Sequence, residues 1–216
     1  CGLPLIQEFR GRVAVLGCFS WRGQPPSGDF HSVIIAPDIF ALEKINALSG
    51  QRVAITHESS YSGCLALKRW ISLIEKTDAV FSNVITTGSH RESVRAVATG
   101  LADIAAIDCI SWALARRFDS TTQSLKVVAR TDDRPGLPLI TSMRNSPSML
   151  DGLRVALNEA VTILDLTSRD VLGITAFVVA HEHDYDIIDH DLQRFGDTAL
   201  VSDRPTMSSA SAKPAS

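Results

Sequence analysis

The chain lacks most of the features that assign a protein quickly. Of its 216 residues, 21 are Lys or Arg and 24 are Asp or Glu, a net charge of −3. No basic stripe runs along any segment, which argues against a nucleic-acid surface. No apolar run reaches the roughly 18 residues that a membrane-spanning helix needs. The most apolar part, residues 102–115, is broken by Asp103 and Asp108. The four cysteines, Cys1, Cys18, Cys64 and Cys109, never fall in C-x-x-C spacing, so zinc and thioredoxin-type readings have no support. Cys18, Cys64 and Cys109 lie beside apolar runs and are expected as buried free thiols. There is no G-x-S-x-G elbow, no H-E-x-x-H pair and no internal repeat. No signal-peptide pattern is present, and the chain starts at Cys1 without Met, which reads as a processed or incomplete start.

What is present is a chain 45% hydrophobic, long enough for one large domain or two small ones. Its organising stretch is residues 50–63. Val53, Ala54 and Ile55 form a short apolar strand, Ser59, Ser60 and Ser62 crowd the turn after it, and Gly63 permits close backbone approach. Leu65, Leu67, Trp70, Ile71 and Ile74 then follow at helical spacing. A helix start carries N–H groups without intrahelical partners and a partial positive charge. Seryl hydroxyls beside those groups suit a small oxyanion, and one of them equally suits a helix cap.

The same strand–turn–helix pattern recurs. Strands are expected at residues 12–18, 30–36 and 80–86, and a short helix at 40–48. Thr87, Gly88, Ser89 and His90 form a turn, and Ser89 or Ser93 caps the helix that Gly100 ends. Residues 103–107 form another buried strand with Asp108 at its end, before a helix carrying Trp112. From 52 to 117 the order is β-α-β-α-β-α, which implies a parallel sheet with helices on both faces. Ligands bind such sheets beyond the carboxyl ends of the strands. The serine turn, the Thr87–His90 turn and Asp108 all fall there. Further strands are expected at 125–130 and 137–141, and a helix over 148–164 capped by Ser148. Residues 176–180 suit a strand or a buried helix, residues 185–195 the last helix, and the tail from 201 disorder.

The Ser-Ser-Tyr-Ser-Gly turn, the Thr-Gly-Ser-His turn and the Ala-Asp-Ile-Ala-Ala-Ile-Asp run, in this order, resemble the phosphate, phosphite and phosphonate solute-binding proteins of ABC transporters. Phe30-His31-Ser32 resembles that family's first crossing strand, and Arg134-Pro135-Gly136-Leu137-Pro138 its return. The likeness runs over roughly residues 10–165.

The resemblance implies an α/β fold of the type II periplasmic-binding-protein class, two lobes joined by two crossing strands. Residues 1–36 and 126–200 would make one lobe, with an N-terminal portion missing, and 37–125 the lobe carrying the anion turns, followed by a disordered tail, 201–216. It implies ligand contacts from Ser60, Tyr61, Ser62 and Gly63, from Ser89 and His90, and from Phe30 as an aromatic wall, with Asp108 either a helix cap or a ligand or hinge contact. It further implies a small anionic ligand, an ABC permease as partner, no cofactor or metal, a periplasmic location and a monomer. Tyr61 stands where the family usually has Thr. Ile110 stands where binders of aminophosphonates place an acid, and no acid occupies residues 136–139. The anion half of the pocket is kept and the amine half is not.

Three other readings compete. Ser60 or Ser62 with His90 and Asp108 could make a hydrolase. His181, Glu182, His183 and Asp184 with Asp186, Asp189, His190 and Asp191 look like a metal cluster, although a solvated acidic loop entering a helix explains them better. A cytoplasmic small-molecule sensor, or a pyrimidine-precursor-type enzyme, could share the fold.

Overall fold

A computed structural model describes residues 1–40, 48–74 and 81–201. The helix expected over 40–48 and the tail expected from 201 fall almost wholly outside the described residues. Val201 itself forms an isolated parallel bridge with Phe81.

The elements run α1 (Gly2–Pro4), a π turn (Leu5–Phe9), β1 (Val13–Trp21), β2 (Ser32–Pro37), β3 (Arg52–Ile55), a second π turn (Tyr61–Leu65) leading into α2 (Ala66–Leu73), β4 (Asn83–Thr86), α3 (His90–Ala98), β5 (Ile104–Asp108), α4 (Cys109–Phe118), β6 (Leu125–Arg130), β7 (Leu139–Ser142), α5 (Pro147–Ile163), α6 (Leu166–Leu172), β8 (Ile174–Val179) and α7 (Asp186–Phe195). They build two sheets, β4-β3-β5-β2-β6 and β7-β1-β8.

In the larger sheet β3 runs parallel to β4 and β5, and β2 runs antiparallel to β5 and β6. Its inner strands β3, β5 and β2 are buried on both faces, and the period-two alternation of side chains sorts them. Val53, Ile55, Ile104, Ala106 and Ile34 pack with Leu67 and Ile71 of α2. Ala54, Ala105, Ile107, Val33 and Ile35 pack with Val94 and Val97 of α3. Helices therefore cover both faces, as the β-α-β order implies. Each fully buried Val, Leu or Ile contributes on the order of 1.5–3 kcal/mol.

The lobe division expected at 36/37 and 125/126 does not follow strand pairing. β2 and β6 hydrogen-bond into the five-stranded sheet, so the chain passes between sheets nearer residues 30–31 and 131–138. There the two crossings lie side by side. Phe30 N–H donates to the Arg134 carbonyl and Arg134 N–H to the Phe30 carbonyl, both at 2.8 Å, and Thr131 N–H donates to the Ser32 carbonyl at 2.9 Å.

The smaller sheet is antiparallel and covered by α5. Leu150, Leu153, Leu157 and Val161 face Leu16 and Phe177, the stripe expected of this helix. Its cap is Ser146 rather than Ser148: the Ser146 hydroxyl accepts from Met149 N–H at 3.3 Å. Pro147 then takes the first helical position, where a missing N–H costs nothing. The open choice at 176–180 resolves to strand β8, which fills the slot beside β1. The N-terminal helical turns are not announced by the sequence pattern. Leu3, Leu5 and Ile6 bury themselves against Tyr185 and Ile188.

Candidate functional site

Beyond the carboxyl ends of β3, β4 and β5 lies a cleft of about 490 Å³, lined by Cys1, Thr56, Ser60, Ser62, Gly88, Ser89, His90, Arg91, Asp108, Ser111 and Leu137. Three helical starts open on it. Ser60 caps the π turn, its hydroxyl accepting from Gly63 N–H at 3.0 Å. Ser89 caps α3, accepting from Glu92 N–H at 3.2 Å. Asp108 caps α4, its Oδ1 accepting from Ile110 N–H at 3.0 Å and Ser111 N–H at 2.8 Å. The turn before α3 needs Gly88, whose φ of 84° is a left-handed conformation that costs other residues energy.

Ser62 Oγ lies 3.0 Å from His90 Nε2, and Asp108 Oδ2 lies 3.2 Å from the same nitrogen. The carboxylate only accepts, while the serine hydroxyl gives or accepts according to the His90 tautomer. Among the described residues, neither the buried Nδ1 nor Thr56 Oγ1 has a hydrogen-bond partner within hydrogen-bond geometry. Burial lowers the His90 pKa from its ordinary 6.5, outweighing the upward pull of Asp108 and of a backbone hydrogen bond at Ala106, and so favours the neutral ring. This arrangement is not a catalytic triad. A triad divides the two ring nitrogens between serine and carboxylate. Here both oxygens meet Nε2, and no carboxylate meets Nδ1 among the described residues.

The remaining candidates are structural. Trp112 packs on the α3 side of the sheet. The His181–Asp191 stretch holds no metal-type cluster among the described residues. Glu182 accepts from Gly11 N–H at 3.0 Å, Asp184 from His181 N–H at 2.7 Å, and Asp186 and Asp189 both face Arg10. A second recess, about 170 Å³, includes Trp21, Ile110 and Leu114 in its lining, but its charges are already matched, Arg22 and Arg117 both bonding Asp170. Cys18, Cys64 and Cys109 are buried and free. Burial pushes the Cys109 thiol up to about 11, so it is inert at neutral pH.

Residues 18–185 match the family model described as the periplasmic substrate-binding protein of phosphonate ABC transporters. The chain belongs to that family. No curated protein matches it. Among solved structures it is similar to PhnD1 of Prochlorococcus marinus in complex with methylphosphonate (16% identity, 89% of this chain and 75% of that one, TM-score 0.74). It is also similar to a Xanthomonas citri protein bound to chloride ion (19%, 91% and 76%, 0.69). A third is a binding-protein component of an ABC phosphonate transporter from Pseudomonas aeruginosa (19%, 90% and 66%, 0.67). At such identities the likeness shows the fold, the type II periplasmic-binding-protein architecture. The phosphonate-binding family is one of substrate-binding proteins, not enzymes, and the Pseudomonas aeruginosa neighbour is likewise a binding-protein component.

Set on the phosphonate-binding scaffold, Ser60, Ser62, Ser89, His90 and Asp108 come together around the cleft. Three expected contacts do not line it. Tyr61 turns its side chain away, into the core with Leu3, Leu5 and Val15, and its hydroxyl donates to Asp191 at 2.5 Å. Successive residues of a helical turn point in different directions, so Ser62 can face the cleft only if Tyr61 does not. Phe30 is 2% exposed and packs on Cys109, Ile110 and Trp21 instead of forming a wall. Gly63 serves packing, since a Cβ there would overlap Thr56 Oγ1. Thr56, Arg91 and Ser111 line the cleft without having been singled out. Thr56 had a signal, as the first polar residue after the Val53–Ile55 run.

The buried histidines set a pH dependence. Burial lowers both His31 and His90 below 6.5. The unfolded chain takes up those protons first, so the stability present at neutral pH is lost as pH falls through 6.5, and the loss levels off below the folded-state values. A melting temperature followed downward from neutral pH is expected to drop in this window. His31→Gln, outside the cleft, is expected to flatten part of the drop.

Proposed function

We propose that this chain is the solute-binding component of an importer. It takes a compact phosphorus oxyanion (phosphate, phosphite or a small phosphonate) into the cleft and presents it to an ABC permease in the periplasm. The observation that carries the reading is the 3.0 Å approach of Ser62 Oγ to His90 Nε2 at the meeting of three helical starts. Neutral hydroxyls, N–H groups and helix-start potential replace the water around a dehydrated anion. Each charge-assisted hydrogen bond contributes roughly 1.5–3 kcal/mol. The family match and the methylphosphonate bound in PhnD1 support this ligand class. Closure has a place to act: the Ser32 hydroxyl, in the first crossing, donates to the Ser62 carbonyl at 2.9 Å, joining hinge to anion turn.

The test is a thermal-shift panel of phosphate, phosphite, methylphosphonate, 2-aminoethylphosphonate and sulfate. At least one phosphorus oxyanion is expected to raise the melting temperature. The amine is expected to bring no advantage, because apolar Ile110 stands where a carboxylate would receive it. Ser62→Ala is expected to remove most of the rise and to move the ligand-free melt little, since the hydroxyl makes its one hydrogen bond at the cleft. Absence of any shift across the panel defeats the reading.

A further inference from the structure

Arg91 stands where an arginine is unfavourable. It lies in the first turn of α3, one residue after His90, where the free N–H groups of a helix start repel a cation. Four residues on, over the same face, is Arg95, a like charge. Arg95 is balanced by Glu92 at 3.0 Å. Among the described residues Arg91 makes no ion pair. Asp119 shares a recess with it, but accepts from the Thr121 amide at 3.0 Å and the Thr121 hydroxyl at 2.7 Å. A charge that local structure opposes, and that no neighbour offsets, marks a functional position.

The surroundings of Arg91 indicate what that charge meets. Arg91 and Ser111 line the anion cleft, and the same two residues line a second recess of about 350 Å³. The rest of that recess is Leu114, Ala115, Phe118 and Asp119, mostly apolar. Arg91 therefore stands where the two spaces adjoin. On one side are the hydroxyls and helix starts suited to an oxyanion. On the other is room that a bare phosphate or phosphite does not need. Among the described residues Arg91 is the one permanent side-chain cation in the cleft lining. Its planar fork of N–H donors matches a carboxylate with two parallel hydrogen bonds.

We propose that Arg91 is a specificity-determining residue, which selects phosphonates whose carbon arm ends in a carboxylate. The phosphorus group sits among the serines and His90, the short arm passes Ser111 toward Leu114, and the guanidinium takes the carboxylate. This rests on the anion reading above and narrows it to a compact ligand with two acidic ends. Neutral donors alone do not tell such a ligand from one whose arm ends in a methyl group. Arg91 does, because only the carboxylate gives its guanidinium a partner.

Calorimetric titration of the chain with phosphonoacetate and ethylphosphonate, at one pH and ionic strength, tests this. The two ligands have arms of the same length, ending in a carboxylate and in a methyl group. Phosphonoacetate is expected to bind about tenfold or more tightly than ethylphosphonate. Arg91→Gln is expected to reduce that ratio about tenfold. Gln is as good a helix former as Arg and removes the opposed charge, so the ligand-free melting temperature is expected to hold or rise. Equal binding of the two ligands to wild type overturns the proposal and leaves the anion reading standing. So does an unchanged ratio in Arg91→Gln. A marked fall in the ligand-free melt of Arg91→Gln means that Arg91 serves the fold, and also overturns it. Binding of neither ligand, nor of any other phosphorus oxyanion, to wild type overturns both readings.

Discussion

Asp191→Ala is expected to cost about 3–5 kcal/mol of folding stability, a large share of what a domain of this size possesses. Asp191 is 4% exposed, on the inner face of α7. It accepts from Arg134 Nε at 2.7 Å and Nη2 at 3.0 Å and from the Tyr61 hydroxyl at 2.5 Å, and Arg69 Nε lies 3.2 Å away. Arg134 is itself buried, at 9%. Truncating the carboxylate leaves one guanidinium and one phenol without their acceptor in a place that water does not reach, and breaking a buried pair costs far more than removing it whole. The network joins four parts of the chain: the π turn, α2, the return crossing and α7. Burial first, and the hydrogen bond to Asp191 second, raise the Tyr61 pKa well above the usual phenol range, so the phenol stays a donor at all working pH. Tyr61→Phe removes one bond and not the charge balance, so its expected cost is smaller, about 1–2 kcal/mol. Denaturant unfolding measures both; an Asp191→Ala midpoint close to wild type means that the four parts do not depend on this ion pair.

That network also marks the limit of what the sequence conveys. The three strand–turn–helix units were legible because each strand is a short apolar run closed by turn residues, and the alternation of Val53, Ala54 and Ile55 already assigns them to opposite faces. Ser62, Ser89 and His90 were legible because strand order alone puts the ends of neighbouring parallel strands together. The direction of Tyr61 was not, because a motif of adjacent residues does not say which member faces inward. Nor was the role of Asp191. It sits in an acidic stretch that reads as solvated, yet Ile188, Asp191 and Phe195 are the buried residues of α7. A carboxylate on an apolar stripe is a signal of a buried partner. The partner, Arg134, is 57 residues away in sequence and only the fold names it. The cap of α5 moved from Ser148 to Ser146 for a local reason, since Pro147 marks the first turn.

Gly63→Ala is expected to lower stability by about 1–3 kcal/mol and to abolish the anion-induced thermal shift. Gly63 is buried in the π turn, against the end of β3. A Cβ there overlaps Thr56 Oγ1 and comes within 2.8 Å of its Cγ2 and 2.9 Å of its Cβ. Thr56 has little freedom to retreat, being β-branched and 6% exposed. The turn must then shift away from β3. Such a shift moves Ser62, the residue before, out of its 3.0 Å approach to His90. It also breaks the Gly63 N–H bond to Ser60 Oγ. Stability and ligand response therefore fall together, unlike in Ser62→Ala, where only the response falls. The double variant Gly63→Ala with Thr56→Ala separates the steric cause from any other, because it deletes two of the three clashing atoms and leaves the 2.9 Å contact, which a few tenths of an ångström relieve. It is expected to recover most of the lost stability and, once the turn is back in place, part of the anion response. Failure of Thr56→Ala to recover either one means that the overlap with the Thr56 side chain is not what makes Gly63 necessary.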